Sequence, residues 1–491
     1  MKRIFIIALL LSSYFSNAQN SLLTTDFWKN APDLTKVKTE IATGNNPAEA
    51  NRGNHDVVSI AINNNAPFEI ITYLIDQKGN SVDKTTHDGR LYIHWAASKG
   101  NVELVEYLIS KGSDINRTDD KGATPLAFAA SNGQTNKDIY ETFFSNGLDV
   151  NYKNANGANF LLMAIGYDTD LTLTDYLLSK GLKLTDVDAN GNTVFDYAAR
   201  TGNVDILKQL QKRGIKPTNK ALIFASEGTR SNANNLEFYK YLVEDLKLNP
   251  KTTGDNGENV LHNIVKKKDQ QEIVAYFLAK GVDVNQTNKE GNTVLMEAAK
   301  GTDVAMLNTI LGKTKNKDQR NNNGMSALSF AVNNGSSDVV STLISQKADI
   351  EVRDNAGNNL AYYLIQSYRP TRQNQKDEFT EKISILSKSG VDFKNEQKDG
   401  STILHLAVAK NDIKLLEKLE DFQIDVNAIN EQEMTALHKA ALIAKDDKVL
   451  KYLIEKGADI TLKTEFDETA YDLASENEVL QQANISIDFL K

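Results

Sequence analysis

The sequence predicts an all-α repeat solenoid of about twelve repeats, made of paired helices joined by short β-hairpin loops and closed by terminal caps. Three observations predict it. A glycine-led motif recurs at nearly constant spacing. A second, helix-closing signature follows each copy. The apolar residues within each copy keep helical periodicity.

The motif reads Gly122-Ala123-Thr124-Pro125-Leu126-Ala127-Phe128-Ala129-Ala130. It returns as Gly89-Arg90-Leu91-Tyr92-Ile93-His94-Trp95-Ala96-Ala97 and as Gly291-Asn292-Thr293-Val294-Leu295-Met296-Glu297-Ala298-Ala299. The leading glycines stand at 89, 122, 157, 191, 257, 291, 324, 357 and 400, so most intervals are 33 to 35 residues. The step from 191 to 257 covers 66 residues, two periods, with a degenerate copy around Ala221-Leu222-Ile223-Phe224-Ala225 between. The closing signature is Tyr107-Leu108-Ile109-Ser110-Lys111-Gly112-Ser113-Asp114-Ile115-Asn116, repeated from Tyr276 to Asn285 and from Tyr452 to Ile460.

Each part has a physical reason. Thr124 can satisfy free N–H groups at a helix start, and Pro125 is pre-set for the first turn. Leu126, Ala129 and Ala130 share one face, and small alanines let paired helices approach closely. Gly100 and Gly133 end the first helix, where glycine readily takes a left-handed conformation. Val102, Val105, Leu108 and Ile109 are helix-spaced on the second helix, which Gly112 ends. Asp114 to Gly122 is rich in turn formers and predicts a projecting hairpin. Asp119 and Asp120 fall there as turn residues rather than as a catalytic pair.

The period, the Gly-x-Thr-Pro-Leu-like start and the Leu-x-x-x-Gly-x-Asp-Ile-Asn-like close resemble the ankyrin repeat. The resemblance covers roughly residues 54–480. It implies a stack in which each repeat touches only its neighbours. It also implies a protein-binding function through the concave face formed by hairpin tips and first helices. By position, that face carries His87, Asp88, Arg90 and Lys99, then Asp120 and Lys121, then Asn190 and Arg200, then Lys289 and Glu290, and Asn323. Plain solvated surface is the competing reading of these residues.

The N-terminus reads as a cleavable secretory signal over residues 1–18. Lys2 and Arg3 precede a short apolar run, and Ser16-Asn17-Ala18 offers small residues for cleavage before Gln19. The run is shorter than the roughly 20 residues that span a bilayer; an uncleaved anchor is the alternative. The Asn17-Ala18-Gln19 junction resembles exported proteins of the Bacteroidetes. The expectation is therefore a periplasmic or secreted bacterial protein, monomeric and without stable membrane insertion. Removing Lys2 and Arg3 takes the formal charge from −9 to −11. That balance disfavours nucleic acid as a partner. The chain has no cysteine, which excludes disulfides, thiolate metal sites and a lipobox anchor.

The expected organisation is a capping segment at 19–53, repeats over 54–463 and a capping repeat at 464–491. Phe27, Trp28, Leu34, Val37 and Ile41 supply the first cap with apolar anchors. Thr469 to Ala474 keeps a first helix in the last one.

His94, His262, His405 and His438 share one repeat position. Adjacent repeats lie about 10 Å apart, too far for a shared ion held at about 2 Å, so no metal or other cofactor is expected. The resemblance implies that each histidine bonds the neighbouring turn. Tyr73, Tyr107, Tyr176, Tyr241, Tyr276 and Tyr452 form a ladder that predicts half-buried packing. No H-E-x-x-H, G-x-S-x-G, Walker or G-x-G-x-x-G pattern occurs, so the chain is not expected to be an enzyme.

One interval, from 357 to 400, is 43 residues long. Its excess lies near 367–376 and is basic, with Arg369, Arg372 and Lys376. Insertions in solenoids map to surface loops, so this one is a second candidate contact, against the reading of a neutral insertion. The leading function is binding of an unidentified protein. The alternative is an immunity or protective accessory protein for an exported toxin or an oxidative-stress enzyme.

Overall fold

In a computed structural model of the protein, the described residues are 20–230, 232–370 and 376–491. They are helical throughout and contain no strand, only isolated bridges such as Val187 with Thr193. The expected segment 1–18 and Arg372 lie outside the described residues.

Two compact units divide the chain, residues 1–234 and 235–491. The first opens with the short helices Thr25–Lys29 and Leu34–Ala42. Trp28 is buried there, and its Nε1 donates to Leu22 O at 2.8 Å. Five inner–outer helix pairs follow, from Val57–Asn63 with Phe68–Ile75 to Val194–Ala199 with Val204–Lys212, and then the inner helix Ala221–Glu227. The second unit opens with the outer helix Leu236–Lys240, which runs into a π-turn over Tyr241–Asp245. Six pairs follow, from Val260–Ile264 with Gln271–Ala279 to Ala436–Ile443 with Lys448–Glu455. The short helices Ala470–Glu476 and Glu478–Gln482 come last before the C-terminal turn. The degenerate copy around Ala221 is thus the one divided between the units.

The third pair shows why the repeat folds. Thr124 Oγ1 accepts from the Ala127 N–H, and Pro125 occupies the first turn. Leu126, Ala129 and Ala130 are fully buried. In the pair before it, Leu104, Val105 and Leu108 form the buried face of the outer helix, while Val102 and Ile109 are only half-buried. Val105 and Leu108 are buried as expected, and Leu104, whose N–H bonds to the Asn101 side chain, takes the buried place expected of Val102.

Between pairs the chain makes a tight turn rather than a paired hairpin. Asp119 N donates to Ala123 O at 3.0 Å, and Asp119 Oδ1 accepts from the N–H groups of Lys121 and Ala123. The carboxylate satisfies two backbone donors of its own turn. Several neighbouring tips are joined by one backbone bond each. Within the first unit these are Asp120 N to Asp88 O and Ala189 N to Asn156 O, both 2.9 Å. Within the second they are Lys289 N to Asn256 O (2.7 Å), Asn322 N to Glu290 O, Asn355 N to Asn323 O and Glu431 N to Asp399 O (each 2.9 Å).

Candidate protein-binding face

The tip rungs fix where the candidate side chains stand. Where neighbouring tips are tied backbone to backbone, their side chains project outward at the spacing of the repeat. Asp120, Lys121 and Asn190 are exposed on tips of the first unit, and Lys289, Glu290 and Asn323 on tips of the second. Lys99 is exposed at the end of an inner helix. These seven residues are placed where a partner can reach them.

Others are engaged within the fold. Arg90 is buried, with Nε 3.0 Å from Asp119 Oδ2 and Nη1 3.2 Å from Asp88 Oδ2. Its guanidinium lies 4.3 Å from the Phe128 ring centre and 5.2 Å from that of Trp95. Arg90 therefore ties two turns and two inner helices together and is not a surface contact. Asp88 also takes Lys121 Nζ at 2.5 Å, and that bond holds its carboxyl below the usual range. His87 stacks on His55 with ring centres 4.4 Å apart, and its Nδ1 lies 2.7 Å from Gly53 O. Arg200 pairs with Glu227 at 2.6 Å and lies over the Phe224 ring.

Two of the three basic residues of the insertion are described, and both are engaged within the fold. Lys376 sits among acids, 2.9 Å from Glu381 and 3.5 Å from both Glu378 and Asp338. Its charge is thereby balanced locally. Arg369 folds back so that Nη1 donates to the carbonyls of Gln366 and Tyr368. Beside it is Lys382, which sequence reading missed. Lys382 is buried on the helix Glu378–Lys388 and donates to Val332 O at 2.9 Å. Burial pushes its ammonium down to about 8. It lines a cleft of about 340 Å³ with Ser336, Arg369 and Lys376. Nothing in the linear pattern marks it, since lysine on an outer helix ordinarily faces solvent.

The four equivalent histidines are buried, and each joins two repeats. In His405, Nδ1 accepts from the Thr402 N–H (3.1 Å), so Nε2–H donates to Met434 O (2.8 Å). His94, His262 and His438 repeat the arrangement onto Ala123, Asn292 and Leu462. Among the described residues no group of three or more histidine or acidic side chains could hold a metal ion. No described helix is long and apolar enough to cross a membrane.

The tyrosine ladder is half-buried and has a recurrent partner set. Tyr452 OH donates to Glu420 at 2.6 Å, Lys456 pairs with the same carboxylate at 2.9 Å, and Lys456 also lies over the Tyr452 ring. Tyr276, Lys280 and Glu244 repeat this, as do Tyr176, Lys180 and Glu141. These sets occupy outer helices and bind neighbouring repeats to each other, away from the tips.

Comparison with known proteins agrees with this architecture. A family model described as ankyrin repeats (three copies) matches residues 58–154, 134–221, 222–321, 261–354, 295–372 and 371–464. The chain is 24% identical over 454 residues to transient receptor potential cation channel subfamily A member 1 of Homo sapiens, covering 75% of this chain and 39% of that protein. It is 26% identical over 326 residues to alpha-latroinsectotoxin-Lt1a of Latrodectus tredecimguttatus, covering 62% of this chain and 22% of the toxin. The chain thus spans between about a fifth and two-fifths of the length of these curated relatives. A solved complex, the Bd0816 predatory endopeptidase from Bdellovibrio bacteriovorus with immunity protein Bd3460, aligns to 40% of this chain and 95% of the matched chain, at 26% identity and a TM-score of 0.33. That score carries no functional statement. Ankyrin repeats are protein-interaction scaffolds, and the family match runs over most of the sequence: the chain belongs to the ankyrin-repeat family.

Proposed function

We propose that this protein is a non-catalytic binding module that contacts a partner protein through its hairpin tips and the exposed ends of its inner helices. One observation carries the reading. Within each unit, neighbouring tips are linked by backbone bonds, such as Asp120 N to Asp88 O and Asn322 N to Glu290 O, both 2.9 Å, which hold the exposed side chains of those tips in register. A surface ordered before contact loses little entropy on binding. The contact set is Lys99, Asp120, Lys121, Asn190, Lys289, Glu290 and Asn323. Arg90 acts indirectly, by holding the tip that bears Asp120 and Lys121. We assign its place of action to the periplasm, from the charged, apolar and small-residue order of residues 1–18.

Photo-crosslinking in the native host tests the face. A crosslinker at Lys121, Asn190 or Asn323 is expected to trap one recurrent protein. The same group at Glu106, exposed on an outer helix, is expected to trap none. Equal trapping from both faces overturns the assignment. Fractionation with N-terminal sequencing tests export, and a mature chain that keeps Met1 in the cytoplasm overturns it.

A further inference from the structure

The final hairpin tips carry most of the exposed apolar side chains; among earlier tips Val187 is also exposed, at 43%. Six large apolar side chains are exposed among the described residues, and five lie at or beyond position 429: Ile429, Leu442, Ile443, Phe466 and Val479. Phe466 is 75% exposed, Ile429 51%, Leu442 47% and Ile443 43%.

Repeat register makes the placement specific. Phe466 stands three residues before the cap residue Thr469. The same register holds Lys121, Asn190, Glu290 and Asn323 before Thr124, Thr193, Thr293 and Ser326. Leu442 and Ile443 stand seven and eight residues after Thr435, where other repeats have Ser131 with Asn132 or Asn333 with Asn334. This chain therefore puts apolar groups at positions it elsewhere fills with polar ones, on its outward face. An isolated exposed apolar residue is ordinary, but a register-matched set marks a contact.

The same tips are acidic. Glu431, Glu433, Glu465, Asp467 and Glu468 surround the apolar residues in sequence. Of these, only Asp467 has an ion partner among the described residues, Lys463 at 3.5 Å. The earlier tip Asn321-Asn322-Asn323 of this unit carries amides only. Unpaired carboxylates around a phenylalanine repel phosphate and repel another copy of the same tips. They attract lysine and arginine.

We infer that the tips at 429–434 and 464–468, with the end of the helix Ala436–Ile443, dock a cationic amphipathic segment of a partner protein, one that sets an apolar side chain against Phe466 between lysines or arginines. This rests on the protein-binding reading above and adds a location and a partner chemistry to it.

The test uses the full chain and two fluorescent synthetic helical peptides, one of lysine and leucine and one of glutamate and leucine, followed by anisotropy. The lysine peptide is expected to bind saturably and the glutamate peptide not to bind. Phe466→Ser is expected to weaken binding by about tenfold or more, and Glu106→Gln, on an outer helix away from the tips, by less than about twofold. Replacing Glu431 and Glu465 together by glutamine is expected to weaken it and to flatten its dependence on salt. All these residues are exposed, so circular dichroism should not change. The inference is overturned by any of four results: no binding of the lysine peptide, equal binding of both peptides, unchanged affinity in Phe466→Ser, or wild-type self-association in sedimentation that Phe466→Ser abolishes. None of these decides whether the tips bind a native protein, which crosslinking at Lys121, Asn190 and Asn323 reads separately.

Discussion

His94, His262, His405 and His438 each use both ring nitrogens, one for the start of their own helix and one for the next turn. Accepting at Nδ1 requires the neutral ring, whereas the Nε2–H donor is present in either form. Burial pushes all four below the ordinary value near 6.5, His94 to about 4. The unfolded chain therefore binds more protons between those values, so stability is full above about 6.5 and falls as pH drops toward about 4. Urea unfolding should show that loss, and His405→Gln should show a smaller loss over the same window than the wild type. Equal slopes would remove His405 as a contributor. Arg90 makes a second residue-scale prediction. Arg90→Met leaves the buried Asp119 carboxylate without its cation and should cost about 3–5 kcal/mol in urea unfolding. Lys121→Ala breaks the more exposed pair with Asp88 and should cost under about 1 kcal/mol. Similar costs for the two would contradict the structural role given to Arg90.

At the scale of the element, the turn is where sequence and structure part most usefully. The helix starts were legible because capping is local: Thr124, Thr193, Thr293 and Thr435 each sit one residue before a helix and accept from its first turn. The tips were legible as turns, again through local chemistry at Asp119. That strand pairing among the described residues goes no further than isolated bridges, such as Val187 with Thr193, was not legible in that local chemistry. Arg90 was read as a surface contact because its register is a tip register. Only the neighbouring repeat supplies the Asp119 and Phe128 that bury it. Lys382 was missed for the same reason, its acceptor Val332 lying 50 positions away. The rungs between tips lead to a prediction at this scale. Gly324 has φ 82°, and a Cβ there would lie 2.7 Å from Asn355 N. Gly457 has φ 93° but open space around it. Both alanine variants incur the left-handed penalty of about 1 kcal/mol, but only Gly324→Ala also forces the tips apart. It should be the more destabilising of the two in urea unfolding, and equal losses would mean that the tips yield freely.

At the scale of the molecule, a repeat stack has no central core, so its ends need separate protection. The helices Ala470–Glu476 and Glu478–Gln482 pack beside the inner helix Ala436–Ile443, the position a cap would hold. Leu473, Ala474 and Leu480 are buried, and Asn477 Nδ2 donates to both Ala441 O and Ala444 O at 3.0 Å. Deleting residues 467–491 leaves those carbonyls and the apolar face of the last inner helix in water. In a stack with nearest-neighbour coupling, the loss should be felt most in the second unit. The chain carries its own reporter for this distinction. Its two tryptophans, Trp28 and Trp95, both lie in the first unit. Tryptophan fluorescence therefore follows residues 1–234, while far-ultraviolet circular dichroism follows every helix. Truncation should lower the circular-dichroism transition, displace the fluorescence transition less, and reduce solubility. An unchanged circular-dichroism transition would show that residues 467–491 do not cap the stack. An equal shift in both signals would show coupling that reaches well beyond adjacent repeats.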